Sequence, residues 1–257
     1  MDYDAWARWY DVVHAVADDG EVRYYVDLAL ASGGPVLEIG VGTGRIAIPI
    51  ALAGIDVTGI DLYEPMLQRA REQVARAMPL PGKAEFVQAD MLDFDLGRTF
   101  PLVTIPGRTL LLLRSAAAQR QALKRAAGHL APGGSLALTV FNPSPRLLAD
   151  ASKEPFLVGE TINPATMRRC RLWAVNRFDT LRQINKGLQI VEELDGRGRV
   201  LRRTELEVRV RYLYPSELHA MLRATGLRAT EVLGDFGGGP LKEDSDHMVF
   251  VASRVAS

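Results

Sequence analysis

Residues 38–45 read Glu38-Ile39-Gly40-Val41-Gly42-Thr43-Gly44-Arg45, with glycines on alternate positions after the apolar pair Val36-Leu37 and before a helix-forming stretch. Glycine lets the backbone turn through positive φ and come close to a ligand over a helix N-terminus, so this loop can seat a cofactor. Its spacing separates ligand classes. A dinucleotide loop follows G-x-G-x-x-G, which would put its third glycine where Arg45 stands. Turns use glycine for the same conformational reason, so the loop alone leaves a plain turn open. Two acids narrow the choice. Asp61 ends the next apolar segment about twenty residues after Gly40, where a carboxylate can accept from both hydroxyls of a ribose. Asp90 and Met91 follow the third apolar segment; the acid can accept from an adenine amino group while the methionine packs on the ring. Together they predict an adenosine-containing ligand, against the alternative in which Asp61 caps a helix and Asp90 forms a turn.

On these residues the chain resembles the class I S-adenosylmethionine-dependent methyltransferase family. Glu38 to Gly44 look like its first motif, Asp61 like its ribose-binding acid and Asp90-Met91 like its adenine-binding pair, and the likeness spans nearly the whole chain. The resemblance implies S-adenosylmethionine as methyl donor and S-adenosylhomocysteine as product. It implies that Glu38 organises the loop near the methionine amino group, with Gly40 and Gly42 beneath the methionine portion. Val41, Gly44, Leu62 and Pro106 join the cofactor-binding set, and Met66 lies beside the adenine. It also implies a doubly wound, seven-stranded, mostly parallel sheet whose last strand is antiparallel, the Rossmann-like methyltransferase fold.

The acceptor is less sharply written. After the fourth apolar segment stands Thr104-Ile105-Pro106-Gly107-Arg108-Thr109, not the N-P-P-[YF/W] tetrapeptide with which related enzymes grip a planar amino group on DNA bases or glutamine. Phe141-Asn142-Pro143, Gly234-Asp235-Phe236 and an inserted sheet look like the small-molecule branch, whose acceptors are amino sugars, amino acids, peptide N-termini and other metabolites. Displacement at a sulfonium has a leaving group already activated by charge, so alignment and desolvation of the nucleophile matter more than acid catalysis. An amine acceptor need only be neutral, whereas a hydroxyl benefits from a base, for which histidine is the natural group. The histidines are His14, His129, His219 and His247. Tyr3, Tyr10 and His14 share one face of an N-terminal helix with Trp6 nearby. In the resembled family a Tyr-Asp pair, here Tyr10-Asp11, covers the cofactor and helps form the acceptor site; packing of that aromatic face on the core is the alternative. His129 suits a helix C-terminus, and His219 and His247 read as structural. Arg108, at the carboxyl end of the sheet, can hold an acidic or hydroxylated acceptor or lie on the surface. The catalytic candidates are therefore Tyr10, His14 and Arg108. Tyr212 and Tyr214 fall on the apolar side of their strand and either roof the acceptor or pack the inserted sheet.

These groups need a scaffold, and apolar β-forming segments alternate with helical patterns from Gly33 to Phe141, the mark of a parallel sheet covered by helices. Strands are expected at Pro35 to Ile39, Ile55 to Ile60, Glu85 to Gln88, Leu102 to Ile105 and Ser135 to Phe141. Helices are expected at Arg45 to Ala53 and Pro65 to Arg76, with a long one closed by the Ala131-Pro132-Gly133-Gly134 turn. From Leu206 to Tyr214 the even positions are Leu, Val, Val, Tyr, Tyr, a period of two that marks a half-buried antiparallel strand. Asp195-Gly196-Arg197-Gly198 joins it to Leu188 to Leu194 as a hairpin, and Thr166 to Val175 supplies another strand. Pro215 to Ala224 restores a helix, and Leu227 to Leu233 and His247 to Ala252 close the sheet. The resulting organisation is one methyltransferase domain over 1–257: a helical lid at 1–32, a cofactor-binding core at 33–142, an inserted antiparallel sheet at 155–214 and closing elements at 215–257.

Composition bounds the partners. Zero net charge argues against a polyanion-binding surface, and the arginines at 168, 169, 171, 202, 203, 209 and 211, interleaved with Glu205 and Glu207, read as a mixed solvated face. Nucleic acid is not expected. The single cysteine, Cys170, has no disulfide partner and no zinc-site neighbours, so a buried thiol in a metal-free, cytoplasmic protein is expected. No apolar run approaches the roughly 20 residues that span a bilayer, and no secretory leader pattern opens the chain. The expected partners are a small acceptor and a second copy through the inserted sheet, with no membrane. The leading expectation is N- or O-methylation of a small molecule. A peptide N-terminal methyltransferase, a nicotinamide-dependent oxidoreductase, which Arg45 disfavours, and a non-catalytic cofactor-binding protein stand as alternatives.

Overall fold

A computed structural model describes residues 3–16, 20–149 and 154–255. The chain runs α1 (Tyr3–His14), α2 (Glu21–Ser32), β1 (Val36–Ile39), α3 (Ala47–Leu52), β2 (Val57–Asp61), α4 (Glu64–Ala77), β3 (Ala84–Gln88) and β4 (Phe100–Ile105). A 3-10 turn (Thr109–Leu112) follows, then α5 (Ala116–Gly128), β5 (Leu130–Phe141), α6 (Pro145–Ala149), β6 (Phe156–Ile162), β7 (Arg169–Val175), β8 (Phe178–Asp179) and β9 (Ile184–Leu194). The last elements are β10 (Val200–Arg211), α7 (Pro215–Ala224), β11 (Leu227–Leu233) and β12 (His247–Arg254). Two compact units result, one from 20–144 with 212–257 and one from 1–19 with 145–211.

The larger unit holds a seven-stranded sheet in the order β11-β12-β5-β4-β1-β2-β3. Pairings from β5 to β3 are parallel, and β12 runs antiparallel to both its neighbours, as expected. All four residues of β1 are buried because helices cover both faces of the strand. On α5 the buried positions Gln119, Ala122, Leu123, Ala126 and Ala127 form the single stripe that a core-facing helix needs, and the Ser115 hydroxyl caps it by accepting from the Ala118 N–H at 3.1 Å. On α2 the buried stripe is Glu21, Tyr25 and Ala29, spaced four apart. Tyr25 fastens the helix to the sheet through a buried 2.8 Å hydrogen bond with Thr139 of β5. The strand order reverses between β4 and β2 on either side of β1, so the chain leaves β1 and β4 in opposite directions and opens a crevice at their carboxyl ends.

The smaller unit is a five-stranded antiparallel sheet, β10-β9-β7-β6 with β8 on β9, and α1 packs on one face. Trp6, Trp9, Val12 and Val13 of the helix bury Cys170, Leu172, Val191 and Leu206 of the sheet. The Trp6 indole donates to the Glu207 carbonyl at 3.1 Å, so its one polar atom is satisfied. Burial pushes the Cys170 thiol up to about 11, in keeping with an inert core cysteine. The arginines form ladders on the sheet, Arg169 and Arg171 on Glu160 and Arg203 on Glu192 and Glu205.

Several boundaries differ from expectation. The segment 1–32 is divided, with α1 on the small sheet and α2 in the core of the larger unit; the Tyr3 side chain lies outside the described residues. The 131–134 turn is an irregularity inside β5, since Phe100 pairs with Leu130 and Leu102 with Ser135. Strand β10 begins at Val200 and stops at Arg211, because Tyr212 and Leu213 are both fully buried and break the alternation. Tyr212 therefore packs in the larger unit and not in the inserted sheet. Strand β6 escaped notice because it is an edge strand with exposed Phe156, Leu157, Val158 and Ile162 and no inside-outside alternation. No helix among the described residues is long and apolar enough to cross a membrane.

The Tyr25–Thr139 bond yields a stability test. Tyr25→Phe leaves a buried Thr139 hydroxyl without its partner and should cost about 1–2 kcal/mol, while Tyr25→Phe with Thr139→Val should recover most of it. Urea unfolding of both variants measures this, and a double variant no better than the single would refute it.

Candidate functional site

The crevice is built from the loop after β1. Gly40, Gly42 and Gly44 have φ of 76°, 56° and 84°, values a side chain resists. At Gly40 space also forbids one, because a Cβ there would overlap the Thr109 methyl group of the turn after β4. The N–H groups of Gly40 and Val41 donate to the Ile60 carbonyl at 2.8 and 2.9 Å, tying the loop to β2. Asp61, last in β2, accepts from the Gly42 N–H at 2.9 Å and the Tyr63 N–H at 3.0 Å. An ionised carboxylate has about four lone-pair sites, so it can hold the loop and still receive ribose hydroxyls. Burial raises its pKa, and these backbone donors oppose the rise.

Asp90, beyond β3, accepts from the Leu92 N–H at 2.9 Å, so the turn-forming role is real and one oxygen serves it. Met91 beside it is half-buried. The Gln88 amide donates to the Leu62 carbonyl at 3.0 Å, joining the ends of β2 and β3. Leu62 is exposed at this rim and Met66 is buried on α4. Pro106 is buried, and its carbonyl accepts from both the N–H and the hydroxyl of Thr109, closing the turn after β4.

The electrostatics centre on Glu38. It is 2% exposed, and its Oε2 has no hydrogen-bond partner among the described residues. Burial pushes its carboxyl up to about 8; Arg45 opposes the rise, and Glu21 and Asp61 add to it. Glu21 thus pairs with the one guanidinium that also offsets Glu38, and Asp61 adds negative charge beside Glu38, an arrangement suited to a ligand bearing positive charge. S-adenosylmethionine carries a sulfonium and an α-ammonium, so the residues present fit it.

Glu21 is the participant that sequence reasoning missed. It is 6% exposed, pairs with the Arg45 guanidinium and accepts from the Gly107 N–H at 2.9 Å. The signal was its register, four residues before Tyr25 on a helix face that is otherwise apolar.

The residues expected on the acceptor side divide between the units. Arg108, with φ 65°, holds its guanidinium 5.8 Å from the Phe141 ring centroid; Tyr212 lies 6.0 Å from Phe141, and the half-exposed Tyr214 stands edge-on to Tyr212. Tyr10 and His14 meet at a tilt, ring centroids 4.2 Å apart, on α1 in the smaller unit. In the larger unit each histidine ring meets a phenylalanine: His129 stacks on Phe94 at 4.4 Å, His219 stands edge-on to Phe250 at 5.1 Å and His247 is tilted against Phe236 at 4.8 Å. His129 also accepts from the Leu96 N–H through Nε2 and meets the Arg125 carbonyl through Nδ1, so it brackets two segments as well as ending its helix. Asn142 donates to the carbonyls of Lys242, Glu243 and Ser245, which fixes the 242–245 loop over the end of β5.

Glu38 gives this site a pH signature. Its folded pKa lies above the unfolded value of 4.5, so its ionisation opposes folding, and stability is lost as pH rises through about 8. Glu38→Gln removes that loss. The variant should gain on the wild type by up to about 1.4 kcal/mol per pH unit between the two pKa values, with no further gain above. Denaturation series at pH 5, 7 and 9 measure the difference, and parallel curves would refute it.

Comparison with known proteins agrees with this geometry. A family model described as a methyltransferase domain matches residues 36–134, from β1 into β5. The cypemycin N-terminal methyltransferase of a Streptomyces species is 26% identical over 251 residues, 95% of this chain and 94% of that one. The dTDP-4-amino-2,3,4,6-tetradeoxy-D-glucose N,N-dimethyltransferase of Saccharopolyspora spinosa is 30% identical over 131 residues, 49% of this chain and 50% of that one. The solved CcbJ methyltransferase of Streptomyces caelestis superposes with a TM-score of 0.77 at 28% identity, over 93% of this chain and 97% of that one. The alternate-glycine loop, the acids ending β2 and following β3, and the seven-stranded sheet with its antiparallel β12 have one common account: an S-adenosylmethionine-dependent methyltransferase built on the class I fold, with its methyltransferase domain matched at residues 36–134.

Proposed function

We propose that this enzyme transfers the methyl group of S-adenosylmethionine to the nitrogen of a small amine. Asp61 would take the ribose hydroxyls and Asp90 the adenine amino group, with Leu62, Met66 and Met91 as apolar walls. Glu38 would face the α-ammonium, the backbone of Gly40, Val41, Gly42 and Gly44 would cradle the methionine portion, and Pro106 would border it. Bound there, S-adenosylmethionine supplies a methyl group on a sulfonium whose departure needs no proton. The protein's task is alignment and exclusion of water.

The observation that carries the nitrogen reading is that His129 has both ring nitrogens engaged, Nε2 by the Leu96 N–H and Nδ1 by the Arg125 carbonyl, and so offers no free lone pair to act as a base. A hydroxyl acceptor needs a base to take its proton, whereas a neutral amine attacks through its lone pair and loses its proton to solvent afterwards. Two relatives support the reading by name, one an N-terminal and one an N,N-dimethyltransferase. Arg108, over Phe141 and beside Tyr212 and Tyr214, would orient the acceptor.

The test is a panel of amino sugar nucleotides, peptides with free N-termini and matched alcohols, incubated with methyl-labelled S-adenosylmethionine. Label should enter amines, at a rate that rises as the amine loses its own proton, near pH 8 for a peptide α-amine. Label entering only alcohols would overturn the proposal. Separately, Asp61→Ala removes charge-assisted bonds to ligand and to Gly42, and should weaken S-adenosylhomocysteine binding by about 2–3 kcal/mol. Calorimetry measures this, and unchanged affinity would refute the assignment of Asp61.

A further inference from the structure

Two partners of Glu21 belong to the two loops that border the crevice. Arg45 closes the glycine loop after β1, and Gly107 opens the turn after β4 that carries Arg108. Glu21 itself precedes the segment matched by the family model. Its carboxylate is divided between them, Oε1 on the Gly107 N–H and Oε2 on the Arg45 guanidinium, and it is nearly removed from water. Buried charge-assisted bonds of this kind are strong and directional. The turn they hold needs holding. Gly107 and Arg108 both have left-handed backbone, φ 62° and 65°, and a non-glycine residue there persists only where its surroundings impose it.

We propose that Glu21 is a positioning residue for methyl transfer, a strut that locks the acceptor-side turn at Gly107-Arg108 to the cofactor-side loop at Arg45, so that seating the cofactor sets the turn. The coupling follows from the sharing of Glu21. Arg45 ends the glycine loop, so a ligand that orders this loop also orders the guanidinium and, through Oε2, the carboxylate whose Oε1 holds the Gly107 N–H. Methyl transfer is an in-line displacement, sensitive to misplacement of about 1 Å, so a turn fixed only when the donor is present would align the acceptor at the right moment. The inference rests on the S-adenosylmethionine assignment and not on nitrogen as the acceptor atom.

Amide exchange of the full chain, followed by NMR with S-adenosylhomocysteine as the probe, tests the strut without an acceptor. In the wild type the probe should slow exchange at Gly107. In Glu21→Ala that amide should exchange about tenfold faster or more, and the probe should no longer slow it. Glu21→Gln keeps an oxygen for Gly107 while losing the charge that holds Arg45, so it should restore basal protection but not the response. Arg45→Met leaves the Gly107 bond intact and should also abolish the response, which keeps the test decisive should Glu21→Ala fail to fold. With any amine found in the panel, Glu21→Ala should raise the acceptor KM about tenfold with a smaller change in kcat. A merely structural role would lower the melting temperature and the active fraction but leave the response and the KM in place. Gly107 exchange unaltered in Glu21→Ala, or a probe response retained in Arg45→Met, would overturn the proposal. Failure of the panel alone would bear on the acceptor and not on the strut.

Discussion

A carboxylate withdrawn from water is the constraint on which the larger unit depends. Glu38 is the only polar residue on a strand whose four positions are all buried, and desolvation alone would hold it neutral. Arg45 partly offsets that cost, but Arg45 is itself shared with Glu21, so the region carries more acid than base. Such an imbalance raises the free energy of the ligand-free state and lowers that of any state in which a cation enters. On the proposed reading, the stability forgone at Glu38 is what a cationic ligand would recover on binding.

The strand order decides where this imbalance can act. Because β1 lies between β4 and β2, its loop is flanked on one side by the turn after β4 and on the other by Asp61. Gly40 must lack a side chain so that Thr109 can close on it, and Gly42 must be left-handed so that its N–H meets Asp61. The same two contacts that shape the loop bring the ends of three neighbouring strands together. Loop geometry and sheet topology are therefore one requirement met twice.

Much of this was legible in the sequence, for identifiable reasons. Glycine spacing, Asp61 and Asp90 stand where local chain geometry requires them, and a buried parallel strand announces itself as an apolar run. Asp61 held more than the sequence suggested, since its bond to Gly42 spans nineteen residues and depends on the pairing of β1 with β2. Register alone marked Glu21 as an acid on an apolar face, and its role stayed hidden because Arg45 and Gly107 are brought to it only by the assembled sheet. Tyr212 was misplaced for a similar reason. Period two continues through the sequence to Tyr214, but the strand ends at Arg211, and the fully buried Tyr212 packs beside Phe141 within the larger unit. The division of 1–32 could not be read either, since two successive amphipathic helices bury against different sheets.

The charge inventory also separates the two ligand classes that glycine loops serve. A dinucleotide loop presents bare backbone N–H groups and a helix N-terminus to a pyrophosphate, and its third glycine lets helix and strand approach closely. Here Gly44 makes that close approach, since a Cβ would stand 2.9 Å from Ile48 and 3.5 Å from Ala70, and position 45 is released to carry a side chain. The side chain it carries is bound by Glu21 and drawn upon by Glu38, so its charge is already spoken for. A pyrophosphate in this loop would face Glu38, Glu21 and Asp61 with no uncommitted cation from Arg45, whereas a sulfonium and an ammonium meet attraction from the same three acids. The one-residue difference in glycine spacing thus acts through electrostatics as much as through backbone shape.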